Sequence, residues 1–239
     1  MQYKIEIKHW AIAISLMILG GGMSACADGT SWKEEVLLHD GSRIVVERSV
    51  VRKGRHEPFQ RPTIGEQSLS FVLPATNQRV RWKDAYSEDL GSANFLLMML
   101  ETDKDAAYLV ASPMGCLSYN KWGRPNPPYV VFKYQDKAWR RIALQELPAI
   151  FKTPNLIISS PDDAAKKAGA SPITAEMVSR INNAPKAGGS EQPQYKAILR
   201  EPMKVGESGV NCEELVFYKG AWVSPGNSIG RRMMDRMSK

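Results

Sequence analysis

The sequence predicts a mainly β fold: antiparallel sheets forming a sandwich or a partly open barrel, with a few short helices. Three observations predict it. Runs rich in Val, Ile, Leu and aromatic residues come in consecutive pairs, each joined by a short polar turn. Helical segments with clear start and stop signals are few. Gly 18 and Pro 15 in 239 residues favour many turns. The apolar share of 43% and charged share of 24% exclude a disordered or collagen-like chain. Lys+Arg 32 against Asp+Glu 25 leaves +7, spread along the chain, so no nucleic acid partner is expected.

The strands pair in order. Runs 32–39 and 43–51 flank Asp40-Gly41, a hairpin signal whose two turn positions are expected at φ > 0. Runs 67–73 and 78–82 flank Pro74-Ala75-Thr76-Asn77, and runs 94–101 and 106–112 flank Thr102-Asp103-Lys104-Asp105. Runs 129–134 and 138–144 flank Gln135-Asp136-Lys137, and 213–218 with 221–223 bracket Lys219-Gly220. Short turns between such runs favour antiparallel pairing.

Helices are expected in three places. Ser160 as N-cap, Pro161 at the first position and Asp162-Asp163 in the first turn open one, which Gly169 stops. Thr174 caps a second through Asn182, and 228–237 forms a third. A loop rich in Asn, Ala, Pro and Gly near residues 183–194 is the expected mobile segment.

Residues 1–25 read as an export signal. Lys4 and Lys8 precede a short apolar run over 10–19, and Gly20-Gly21-Gly22 leads to a small-residue exit. The run is shorter than the roughly 20 residues a bilayer span needs. Met23-Ser24-Ala25-Cys26 resembles the lipobox of bacterial lipoproteins. That resemblance implies that Cys26 becomes the N-terminus and carries acyl chains that anchor the protein in a membrane. Ala27 follows, where an Asp often retains the family at the inner membrane, so the resemblance implies the outer membrane, facing the periplasm. Ala25-Cys26-Ala27 also fits ordinary signal peptidase cutting before Asp28, which would give a soluble periplasmic or secreted protein. Residues 26–239 then form a single mainly β envelope domain. The chain as a whole resembles proteobacterial-type lipoproteins of uncharacterised activity.

Beyond Cys26 there remain Cys116 and Cys212, an even number in an oxidising space, so a disulfide between them is expected. Closing a loop of about 100 residues constrains the unfolded chain by up to about 4.7 kcal/mol in the entropy picture. Neither Cys has a second Cys or a His close by in sequence, so no metal site is expected. No cofactor is expected either.

The segment 127–142, with its aromatic-rich strand, polar turn and Trp-containing strand, is similar to the outer hairpin of a β-propeller blade. A partial propeller-like meander is therefore the alternative architecture. Ser118-Tyr119-Asn120-Lys121 matches the Ser-x-x-Lys motif of penicillin-binding proteins and β-lactamases. In that family the motif opens a helix. Here Pro113, Gly115, Gly123 and Pro125 crowd it, no helix is expected, and no Lys-Thr-Gly follows.

Two groups of residues are candidates for function. Tyr119, Trp122, Arg124, Asn126 and Tyr129 interleave rings and hydrogen-bonding side chains with prolines, a composition suited to binding a protein or glycan partner. The loop carrying them is expected to form one wall of a groove. Asp84, Glu88 and Asp89 are the densest acidic cluster. On a helix, Asp84 and Glu88 would share a face and could serve a periplasmic hydrolase acting on cell wall or polysaccharide. With no recognisable catalytic motif, a lipid-anchored binding protein is the first expectation and the hydrolase the alternative.

Overall fold

Eight strands build two meanders in which each strand pairs with the one before it. In the first sheet, β1 (Gly29–Leu37), β2 (Arg43–Arg52), β3 (Ile64–Leu73) and β4 (Gln78–Asp84) lie in sequence order. The second sheet repeats the plan with β5 (Phe95–Asp103), β6 (Ala106–Pro113), β7 (Val130–Gln135) and β8 (Ala138–Ile142). All these pairings are antiparallel, and neither sheet closes into a barrel. The computed structural model describes residues 29–184, 192–204 and 211–237. Residues 1–25, expected to be an export signal, together with Cys26 and most of the loop expected near 183–194, lie outside the described residues.

The alternation of buried and exposed residues along β1 to β4 turns one face of the first sheet inward. Val36, Val46, Leu69, Phe71 and Val80 from that face join Phe95, Leu97, Leu109, Ala111 and Val130 of the second sheet in one core cluster. Strand β6 is buried along its whole length. Its other face, with Met98, Met99 and Val131, is covered by Leu147, Phe151, Ile158 and Ile198 from the irregular segments. A sheet covered on both sides needs continuous apolar strands, which is why β5 and β6 lack clean alternation.

The turns follow local chemistry. At 38–42 the loop holds three residues, closed by Leu38 N–H donating to Ser42 O at 2.9 Å. Gly41 alone has positive φ there, at 84°. The expected two-residue turn is therefore corrected to a three-residue one. Asp40 Oδ1 accepts from Ser42 N–H at 2.9 Å, an arrangement that keeps Asp40 out of the left-handed region. The β7–β8 turn does put both residues, Asp136 and Lys137, at positive φ without a glycine.

The short helices close the edges. In chain order they are α1 (Gly115–Lys121), α2 (Pro161–Ala168), α3 (Ala175–Asn183) and α4 (Ser228–Met237). Thr174 caps α3 by accepting from Met177 N–H. Ser160 makes no cap: its φ of 43° is left-handed and its side chain bonds no helix N–H. Helices α2 and α3 pack on Trp32, Val50, Ile64 and Ile173. Backbone bonds between Ile173 and both Lys33 and Glu35 cover the free edge of β1. Beneath these helices, Arg48 and Glu34 form an ion pair at 3.1 Å with side chains only 1% and 0% exposed. A third, two-stranded element, β9 (Val216–Tyr218) with β10 (Ala221–Val223), precedes α4.

Candidate functional site

The loop singled out by composition begins where β6 ends. Its first turn is helical after all: α1 spans Gly115–Lys121, with Pro113 before it and Gly123 at φ 85° after it. The prolines and glycines expected to forbid a helix bound it instead. Ser118 is buried and donates to Asn94 O at 2.6 Å. Lys121 turns away to Asp89 Oδ1 at 2.7 Å. The Ser-x-x-Lys pair is thus divided between two structural bonds.

Disulfide Cys116–Cys212 joins the start of α1 to the C-terminal segment, with Cα atoms 5.3 Å apart. The candidate binding residues reinforce that junction. Arg124 lies over the Tyr119 ring at 5.1 Å and donates to Cys212 O and Glu213 O at 2.9 and 3.0 Å. Asn120 accepts from Leu215 N–H at 2.9 Å. Asn126 donates to Met203 O and accepts from Met203 N–H, at 2.9 and 2.8 Å. Tyr129 is buried, its hydroxyl 2.8 Å from Gln194 O and 3.0 Å from Ala197 O. Burial pushes its pKa up to about 12. Trp122 is half-buried against Phe95 and Phe132, and its Nε1 donates to Asn94 Oδ1 at 3.1 Å. Arg124, Asn126 and Tyr129 thus hold the protein's own later segments in place, while Trp122 ties the loop back to the start of β5.

What they leave open is a groove. Pro125, Asn126, Pro127, Tyr129, Val130 and Val131 line a concavity of about 460 Å³, together with Arg141, Gln145, Arg200 and Pro202. Arg200 spends four N–H bonds on the carbonyls of Leu144, Leu147, Pro148 and Phe151. Burial pulls its pKa down, since no carboxylate is among its partners. Arg141 lies over the Trp122 ring at 5.4 Å and donates to Trp122 O. Among the described residues no Asp or Glu lines the groove. The wall is thus tied down, and the charged side chains among its described lining residues are Arg141 and Arg200. Composition did not mark Arg141 and Arg200. Arg141 sits in an ordinary strand pattern, and Arg200 reaches the groove from about 60 residues further along the chain.

The acidic cluster is dispersed over separate tasks. The segment is not helical: Asp84 ends β4 and Ser87 bridges to Ser92. Asp84 is buried and accepts from Gln67, Phe95 N–H and both the main-chain and side-chain nitrogens of Asn94. Burial raises its pKa despite those bonds. Glu88 is exposed. Burial opposes the charge on Asp89, but the bonds from Lys121 and Ser87 outweigh it and hold that carboxyl below its ordinary value.

No family model, curated protein or solved structure matches the chain. Among the described residues no helix is long and apolar enough to cross a membrane. No group of three or more His, Cys, Asp or Glu among them could hold a metal ion. The disulfide is consistent with an extracytoplasmic compartment.

Proposed function

We propose that the chain is an exported envelope protein, acylated at Cys26 and facing the periplasm from the outer membrane, that works by binding a protein or glycan partner. The groove walled by residues 125–131 carries this reading. It is preformed, its proline-rich wall is tied down by the bonds of Asn126 and Tyr129, and Arg141 and Arg200 are the charged side chains among its described lining residues. A wall already ordered loses little entropy when a ligand arrives. Arg141 offers a planar fork for a carboxylate or phosphate on that partner. The alternative, a hydrolase working through Asp84, Glu88 and Asp89, has less support, because Asp84 and Asp89 are taken up by internal bonds.

Two measurements test the two halves of the proposal. Cys26→Ser should move the protein from the membrane to the soluble fraction, and a mature N-terminus at Asp28 would end the acylation reading. For the groove, the purified protein is mixed with isolated peptidoglycan sacculi and with detergent-solubilised outer-membrane proteins. Retention on one of them should fall at least about tenfold with Arg141→Glu, a surface change, while the melting temperature holds. Equal retention of the variant and the parent would remove the groove from the account.

A further inference from the structure

A second cavity, of about 380 Å³, lies between the end of β1, the end of β5, the segment 150–155 and α3. Its volume falls in the range of small-molecule sites. Leu38, Pro154 and Val178 supply apolar wall, and His39, Glu101 and Lys152 supply charge-bearing groups.

The polar end is built with precision. Glu101, whose side chain is 5% exposed, accepts from His39 N–H at 3.1 Å and faces His39 Nδ1 at 3.0 Å, all through Oε2. Its other oxygen lies 3.3 Å from Asn155 Nδ2. Asn155 is itself fixed by Leu100 N–H donating to its Oδ1 at 2.9 Å and by its own donation to Leu100 O. The imidazole rests on Phe151, ring centres 4.8 Å apart. A carboxylate that only accepts fixes the proton on Nδ1. Nε2 is then the remaining polar atom of the ring, and no described residue bonds it. Lys152, exposed, has no carboxylate partner among the described residues. Ser179 accepts from Asn183 Nδ2 at 3.4 Å, and among the described residues no side-chain hydroxyl hydrogen-bonds the His39 ring, so no nucleophile–base pair is formed there.

We infer that this cavity binds a small carboxylate with a hydrocarbon body, the carboxylate held between His39 Nε2 and Lys152 and the body laid on Leu38, Pro154 and Val178. Holding a carboxylate at Nε2 requires a proton there as well as on Nδ1, so that the ring donates to Glu101 on one side and to the ligand on the other. Lys152 supplies a second positive charge at the mouth. The apolar wall then contributes through the area it hides from water.

Octanoate is the probe, with 1-octanol as the uncharged control. Beyond the export signal the chain's histidines are His39 and His56, so imidazole NMR signals separate the site from the rest of the surface. Octanoate should shift the His39 signals saturably and leave those of His56 in place. Octanol should bind about tenfold or more weakly. Lys152→Ala, a change at an exposed position, should weaken octanoate about tenfold and leave octanol alone. Val178→Phe should fill the space and abolish both. A His39 signal that ignores octanoate overturns the site, and octanol binding as tightly as octanoate overturns the carboxylate. These readouts are independent of the groove at 125–131.

Discussion

Trp122 packs its ring against Phe95 and Phe132 while its Nε1 donates to Asn94, so its removal falls on the core. Trp122→Ala should cost about 3 kcal/mol, read as a lower melting temperature. Asp162 is the complementary polar case. Its carboxylate is 2% exposed and takes bonds from Arg52 at 2.6 and 2.7 Å and from Arg61 at 2.8 Å. Burial opposes the charge, but the bonds from Arg52 and the charges of Arg52 and Arg61 outweigh it and depress the pKa. A carboxyl depressed on folding stabilises the fold fully above its unfolded value of about 3.9, and the contribution is lost as pH falls through the folded value. Asp162→Asn should therefore cost about 3 kcal/mol near pH 7, because Arg52 is left without its partner. It should also flatten the acid limb of a stability–pH curve. An unchanged acid limb would mean that other carboxylates govern it.

At the scale of elements, attachments of the C-terminal hairpin and α4 to the rest among the described residues include the disulfide at Cys212, the bonds of Asn120 and Arg124, and Trp222 Nε1 donating to Asp89 O at 3.0 Å. Cys212→Ser should loosen this unit first. Limited proteolysis followed by mass spectrometry should release the chain beyond about residue 211 while both large sheets stay protected. Simultaneous loss of the sheets would show that the bridge supports the whole fold. The hairpins themselves were legible, because period-two patterning and polar turns are written within about 20 residues. Helix α1 was not, since Pro113 and Gly123 read as breakers when they are its boundaries. Ser160 looked like a cap because residue type does not reveal a left-handed backbone. The disulfide was legible from cysteine count and compartment. The roles of Arg124 and Asn126 were not, for their partners lie about 80 to 90 residues away. Nor was the His39–Glu101 contact, separated by 62 positions and closed only when the two sheets stack.

On the scale of the whole molecule, one starting point has a geometric outcome. Strand β1 begins at Gly29, leaving only Ala27 and Asp28 between it and an acylated Cys26. Three steps of chain reach about 10 Å at most. If Cys26 is acylated as proposed, so short a leash would hold the Gly29 end of the first sheet, where it pairs with Val51, against the lipid headgroups. The eight steps from Gly29 to Leu37 then carry the chain roughly 27 Å at about 3.4 Å each, toward the 38–42 turn. In vesicles, a fluorophore on Thr30→Cys should be quenched by headgroup-bound quencher and one on Ser42→Cys should not; the reverse pattern would rule this orientation out. In that orientation the strand would act as a mast: it would lift the His39 cavity clear of the bilayer, so its ligand would arrive from the aqueous compartment and not by lateral diffusion in the membrane.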